Sequence, residues 1–407
     1  MRLSKYFIMQ IPKNTTLFIL LLLSLGSCTE KKDSHKKNVD FIIKNTLPLE
    51  RSFETLELTH SLLNVADSID LSNYGVKDLE TNEFLVRQYI DEDDDGKIDI
   101  LLFQPQLAPN QEKEFRLEQL PVENKPDTLR VFSRFVPERT DDYAWENNRV
   151  AFRTYGPTAQ RMNEGGIEGG TLSSGIDCWL KKVEYPIIDK WYTQFEQDPM
   201  AYHIDTGEGL DNFHVGRSRG AGGIAKKIGD RYYFSKNFTA YKTLANGPIR
   251  TSFVLKYENW TADSVIIKEK KHISLDYGNN MTRVALDVSG TNNISVGLTL
   301  HENDGKITAN DSLGWVSYWQ PHDGSELGTG LVVPKVYYVG HETYITKETD
   351  LSNAYALLNL SQEKTIYYTG FGWKENGNFK TQEQWENYLK EFAQKLAAPL
   401  QIKVKTQ

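Results

Sequence analysis

Cysteine is nearly absent: only Cys28 and Cys178 occur in 407 residues. A disulfide scaffold is thereby excluded, and a chain of this length buries a large core without such staples. Proline is sparse as well, at 14 residues, and no strict glycine period or heptad pattern runs through the sequence, so collagen and long coiled coils drop out. No apolar run reaches the roughly 20 residues that a membrane-spanning helix requires. An excess of positive charge is also missing. Lys plus Arg number 47 against 55 Asp plus Glu, a net charge of −8, which argues against nucleic acid as a partner. Nor is there a serine nucleophile elbow, a P-loop, a dinucleotide fingerprint or a Cys/His zinc spacing. What the chain does have is aromatic rings, with 8 Trp, 21 Tyr and 18 Phe in an otherwise polar sequence. That composition suits a secreted, β-rich protein with aromatic-lined clefts.

The first residues read as an address. Arg2, Lys5 and Lys13 precede the apolar run from Thr16 to Leu25, which Gly26, Ser27 and Cys28 follow. A basic start, a short apolar core and small residues make a secretory signal, expected over residues 1–27. A cysteine directly after Leu-Gly-Ser resembles the bacterial lipobox, in which that thiol is acylated and becomes the mature N-terminus. The membrane is thus an expected partner through lipid on Cys28, and the expected location is the periplasmic side of the outer membrane. A plain signal with an incidental cysteine is the bland alternative, and Met9 is a second candidate start. Residues 28–39 are almost devoid of apolar side chains and read as a flexible tether.

Residues 40–125 alternate apolar and polar in short runs, such as Phe84–Ile90 and Ile98–Phe103, separated by turn residues. That spacing predicts a small antiparallel β-sandwich domain. Pro121 to Pro126 reads as a linker, and residues 126–407 as a second, larger domain. Within it, 128–225 is glycine-rich with densely spaced polar and aromatic residues, the kind of loop-rich stretch where function concentrates. Strands return from 230 onward: Thr251, Phe253, Leu255 and Tyr257 share one face, and further alternating runs predict a large antiparallel sheet system. One helix closes the chain. Thr381 caps it with Gln384 three residues on, Trp385, Leu389, Phe392 and Leu396 share a face, and Pro399 stops it.

Three groups of residues offer chemistry. Asp91, Asp93, Asp95 and Asp99 surround Gly96 like the start of a calcium loop. The twelfth position, however, holds Leu102 instead of a bidentate Glu. A solvated acidic turn and a structural calcium that braces the small domain are the two readings. The densest cluster is Tyr202–Gly223. It holds Tyr202, His203, Asp205, Glu208, Asp211, His214, Arg217 and Arg219 among six glycines. Glycines let backbone approach a ligand, His and Tyr transfer protons, and arginines hold carboxylate or sulfate by forked hydrogen bonds. A structural loop whose carboxylates pair with its own arginines is the alternative. Arg153 and Tyr155 in Arg149–Pro157 add charge and a hydroxyl on one strand face. His301, His322 and His341 are isolated in sequence, with His322 kept as an outside candidate, and Cys178 reads as a buried apolar residue.

Arg149–Pro157, Gly175–Lys181, Tyr202–Gly223 and the tail segments Tyr367–Trp373 and Trp385–Leu389 together resemble a bacterial family of domains of unknown function from polysaccharide-utilisation gene clusters. One member of that family is an ulvan oligosaccharide dehydratase. The resemblance covers most of the mature chain. It implies a mainly β fold, with a small N-terminal sandwich and a large antiparallel super-sandwich of the sugar-mutarotase type. It also implies removal of water from the non-reducing-end uronic acid of an anionic oligosaccharide. Such an elimination needs a base for the C5 proton, an acid for the departing 4-hydroxyl, and groups that hold the carboxylate as enolate character develops. His203 with Tyr202 or His214 would move the protons. Arg217, Arg219, Arg153 and Tyr155 would bind the substrate together with Glu208, Asp205 and Asp211, and Glu208 and Asp205 would orient the His or Arg. No cofactor is required by this chemistry. Two other classes stay open: a glycosidase with Glu208 and Asp211 as its carboxylate pair, and a non-catalytic glycan-binding lipoprotein.

Overall fold

The computed structural model describes residues 38–121 and 128–405. The expected signal peptide, Cys28, nearly all of the tether, and the linker beyond Pro121 lie outside the described residues.

Period-two alternation builds the N-terminal part. In Val39–Lys44 the side chains of Val39, Phe41 and Ile43 are buried, as alternate residues of a strand facing a core must be. This strand runs antiparallel to Glu112–Gln119, which pairs with Tyr74–Asp78. Leu56–Thr59, Ile100–Phe103 and Arg87–Ile90 form a second sheet. Leu58, Leu101, Phe103 and Phe115 fill the space between the two, so the small antiparallel sandwich is present. Its remaining strand comes from the far end of the sequence: Gln401–Val404 pairs with Val39–Lys44, setting Val404 opposite Phe41.

The glycine-rich stretch is more regular than its composition suggests. It forms a five-stranded sheet in the order Gly209–Leu210, Asp177–Lys181, Ala151–Thr154, Asp142–Glu146 and Phe132–Val136. Two short helices accompany it. Pro157–Glu164 starts on a proline at its first turn, where the missing N–H costs nothing. Ile188–Gln197 buries Ile188, Trp191 and Tyr192 against Trp179 and Tyr202 in a compact aromatic core.

From residue 221 two antiparallel sheets share one core. The larger runs from Phe238–Ala245 at one edge to Lys306–Asn310 at the other, and the smaller from Arg231–Tyr233 to Tyr338–Tyr344. Thr251, Phe253, Leu255 and Tyr257 are buried together, as their alternation predicts, and Ile224, Val296, Leu298 and Ala356 reach the same core from the smaller sheet. The helix Gln382–Ala397 lies on the larger sheet. The Thr381 hydroxyl accepts a hydrogen bond from the Gln384 N–H at 3.3 Å. Trp385, Leu389 and Ala393 are its buried face; Phe392 and Leu396 are only partly covered. Glycine permits this closeness: a Cβ on Gly328 would sit 2.6 Å from the Trp385 ring, and one on Gly330 2.8 Å. No helix among the described residues is long and apolar enough to cross a membrane.

Candidate active site

A cavity of about 510 Å³ opens where the five-stranded sheet meets the loop after Asp211. Its wall includes Arg139, Arg153, Tyr155, His203, Asp211, His214, Arg217 and Asp350. Sequence-distant groups converge here because the sheet register brings them together: Arg153 stands directly opposite Asp177 across an antiparallel pair.

Arg153 is the hub. Its Nε and Nη2 donate to Asp177 Oδ2 at 2.9 and 2.6 Å, and Nη2 also donates to Asp211 Oδ2 at 2.8 Å. Asp142 Oδ2 lies 3.7 Å from Nη1, and the Tyr155 hydroxyl donates to Asp177 at 3.2 Å. Three buried carboxylates thus crowd one guanidinium, with Arg139 next to Asp142. Like charges so close cannot all ionise freely. Burial pushes the Asp211 carboxyl up to about 8 against the pull of Arg153, and Asp177 and Asp142 add to the rise. Burial likewise pushes Asp142 up to about 6, against Arg153 and Arg139. Asp177 and Asp142 answer Arg153 and Arg139 from behind the wall, which leaves Arg217 as the exposed cation beside the Asp350 carboxylate.

Tyr202 and His203 do not lie on an extended strand but in a 3₁₀ turn, Ala201–His203, so they need not face opposite ways. Tyr202 is buried against Trp179 and Phe195, both 5.3 Å away between ring centroids. Its hydroxyl is 3.4 Å from Arg153 Nη1. The expectation that Tyr202 transfers a proton to substrate is corrected accordingly: the ring packs behind the wall and helps position Arg153. His203 does face the cavity. Its Nδ1 is hydrogen-bonded to the backbone carbonyl of Asp211. A carbonyl only accepts, so Nδ1 carries a proton, and in the neutral ring Nε2 is the nitrogen left with a lone pair.

The acidic residues of the loop divide by task. Asp205 accepts from the Gly207 and Gly209 N–H groups at 2.8 and 3.1 Å and pairs with Lys182. Gly209, at φ +104°, must be glycine, because a Cβ there would lie 1.9 Å from the Leu180 carbonyl oxygen. Glu208 takes hydrogen bonds from Tyr185 and, at 2.6 Å, from Lys190. Both acids shape the turn and neither lines the cavity, so the Glu208–Asp211 pair expected of a glycosidase is not assembled there.

His214 is on the exposed rim, with Nε2 3.2 Å from Asp350 Oδ2, and Arg217 is exposed beside it. Arg219 is elsewhere. It is buried in the sandwich core, donating to the Ser174 hydroxyl at 2.9 Å and the Ile224 carbonyl at 3.3 Å, with its guanidinium 3.9 Å from the Phe234 ring centroid. A substrate carboxylate cannot reach it, which overturns the sequence reading for that residue. His301 and His322 are not isolated. His301 Nε2 contacts the His214 carbonyl at 2.8 Å, His322 Nε2 contacts Asn212 Oδ1 at 3.0 Å, and both rings flank Phe213. Burial lowers His322 to about 4, so it braces the loop as a neutral ring.

In the acidic loop, Asp91, Asp93 and Asp99 bring carboxylate oxygens within 4.8 Å of one another, while Asp95 turns away to Lys97 at 2.8 Å. The same carboxylates also accept backbone N–H groups: Gly96 at 2.8 Å to Asp91 and Glu92 at 2.7 Å to Asp99. Cys178 is fully buried, as expected.

Sequence reasoning missed Arg139, Asp142 and Asp350. Arg139 sits in a one-turn 3₁₀ segment, Pro137–Arg139, with its buried Nε unpartnered among the described residues. Asp350 enters from a loop remote in sequence. Neither lies in a periodic or clustered run that would draw attention.

Residues 43–402 match the profile of a domain of unknown function, DUF4861, and the chain belongs to that family. It is 52% identical over 390 residues to "Uncharacterized protein P7" of Formosa agariphila, covering 95% of this chain and 98% of that one. Two solved structures from Enterococcus faecalis are distant likenesses. One is a protein in glycosyl hydrolase family 38, at 13% identity and TM-score 0.48, covering 91% of this chain and 47% of its own. The other is an alpha-mannosidase, at 12% identity and TM-score 0.46, covering 91% and 46%. The chain spans about half the length of these two.

Proposed function

We propose that the protein is a hydro-lyase that removes water from the non-reducing-end uronic acid of ulvan-type oligosaccharides. The observation that carries this reading is His203 in the cavity wall. Its Nδ1 proton is directed to the Asp211 carbonyl, and the ring lines a cavity that Arg139, Arg153 and Arg217 also line. In this scheme Nε2 takes the C5 proton, the C5–H electron pair becomes the C4=C5 double bond, and the C4–O bond breaks. His214, held by Asp350, gives its proton to the departing hydroxyl, which leaves as water. Arg217 and Arg139 hold the uronate carboxylate and stabilise charge that grows on it as C5 loses its proton. Arg153 keeps Asp211, and through it His203, in place. The resemblance of Tyr202–Gly223 to a family that includes an ulvan oligosaccharide dehydratase supports the reading. Acylated Cys28 would hold the enzyme at the outer membrane, and Cys28→Ser should release it into the soluble fraction.

Mass spectrometry of uronate-terminated ulvan oligosaccharides after incubation tests the reaction. Loss of one water from the intact oligosaccharide, with new absorbance from the conjugated double bond, is the expected result. Chain cleavage to shorter saturated sugars would make the protein a hydrolase, and an unchanged oligosaccharide that still binds would make it a binding protein. Either outcome overturns the proposal.

A further inference from the structure

A second cleft, of about 460 Å³, lies between the N-terminal sandwich, the outer face of the larger sheet and the C-terminal helix. Its size falls in the roughly 300–1,000 Å³ range of small-ligand sites, and its position between packed units is where such sites concentrate. Nothing in the proposed reaction uses it.

The groups that edge it are aromatic, acidic and cationic. The aromatics are Phe53 on one side, Tyr368 and Phe392 on the other, the last two 5.1 Å apart between centroids. The acids are Glu54, Glu57, Asp276 and Glu391, of which Glu54 pairs with Arg51 and Glu57 and Asp276 with Arg250. The cations decide what the cleft can hold. Arg250 is neutralised, with Nε and Nη2 on Asp276 at 2.6 and 2.9 Å and Nη1 on Glu57. Arg149 and Arg283 also line the cleft. Neither makes an ion pair with a carboxylate among the described residues, and the guanidinium of Arg149 donates at a long 3.4 Å to Asn280 Oδ1. Its guanidinium stands 5.5 Å from the Phe53 ring centroid.

Phe53 is held in an unfavourable backbone conformation, φ +58°. A bulky residue there costs on the order of 1–3 kcal/mol and persists only where its surroundings enforce it. They do: its carbonyl accepts from Gln104 and Asn279 at 3.2 and 3.0 Å, its ring meets Tyr277 edge-on at 5.8 Å, and Gly278 leaves room for it. The fold therefore fixes an aromatic ring beside two arginines that make no ion pair with a carboxylate among the described residues. A pyranose ring offers the matching chemistry, with an apolar C–H face for the ring and an acidic substituent for the guanidinium groups.

We propose that this cleft is a second, non-catalytic binding site for an acidic sugar unit bearing carboxylate or sulfate. It stands apart from the dehydration reading. Isothermal titration of the full chain with three probes tests it: an oligogalacturonate, a sulfated galactan oligosaccharide and a neutral cello-oligosaccharide. The Arg217→Ala background reduces binding at the first cavity. In that background an acidic probe is expected to bind at one site, and Arg149→Gln with Arg283→Gln to weaken it about tenfold or more, the effect of roughly one lost charged contact. Preference for the first or second probe identifies carboxylate or sulfate as the anion. Equal binding by the neutral probe, or unchanged affinity in the double variant, would refute the proposal. Should the double variant fail to fold by circular dichroism, Arg283→Gln alone serves the same comparison.

Discussion

Two buried arginines of almost equal depth behave in opposite ways. Arg153 is 5% exposed and Arg219 1%, and both belong to segments that read as substrate-binding. Arg153 is met by more carboxylates than it can neutralise, so the cluster shares protons and opens onto a cavity. No carboxylate lies within ion-pair distance of Arg219 among the described residues. Burial lowers its guanidinium to about 10. It is held instead by the Ser174 hydroxyl, two carbonyls and the Phe234 ring. Nearby, Lys271 meets Glu269 at 3.2 Å and the Tyr257 hydroxyl at 3.1 Å, so a sealed polar strut runs through the sandwich core. Depth alone does not separate the two: carboxylates crowd Arg153 beside an opening, whereas neutral partners hold Arg219 in a sealed core.

The sharpest way to break this contrast is at the hub. Arg153→Met should strand three buried carboxylates and cost about 3–5 kcal/mol, as expected when one side of a buried ion pair is removed. A large drop in thermal midpoint, with turnover lost, checks it. His203→Gln should lower turnover about 10²–10⁴-fold, the usual penalty for a lost general acid or base, while the midpoint stays within a few degrees. A variant retaining more than a tenth of native turnover would make His203 structural. The third pair sets the two arginines of one loop against each other. Arg219→Ala should destabilise by about 1–3 kcal/mol through unsatisfied buried partners and leave KM unchanged at a temperature where it is folded. Arg217→Ala should raise KM, with stability altered by no more than about 0.5 kcal/mol.

A further way to probe the hub is pH. Asp211 is raised in the folded state, so between about 4 and about 8 the native protein holds a proton that the unfolded chain has released. Its contribution to stability is complete at low pH and is lost as pH rises through that window. Asp142, raised to about 6, acts in the same sense, whereas His322, lowered to about 4, acts oppositely between about 4 and its ordinary range. Asp211→Asn should therefore flatten the fall in stability between pH 4 and 8 relative to the native chain in urea titrations. An unchanged slope would mean that Asp211 is ionised throughout.

Much of the architecture was legible because its cause is local. Alternation in Arg250–Tyr257 and the cap and apolar stripe of Gln382–Ala397 state their own geometry. The helix Ile188–Gln197 carried the same kind of signal, in Ile188, Trp191, Tyr192 and Phe195, although its setting in a glycine-rich region masked it. The site was legible only as a neighbourhood. Residue types in Tyr202–Gly223 announce chemistry, but whether a side chain faces the cavity depends on a 3₁₀ turn at Tyr202 and on left-handed glycines at 220 and 222, which no periodicity reveals. Arg139 and Asp350 become visible only when the sheet register and the loop are in place.

The pairing of Val39–Lys44 with Gln401–Val404 has a consequence for biosynthesis. A growing chain presents the first of these strands long before the second exists, so one edge of the N-terminal sheet stays open throughout elongation. Open edges recruit other strands, and partly made chains with such edges aggregate. A product cut short before residue 401 would lack the strand that covers that edge, so closure of the small sandwich waits on residues 401–404.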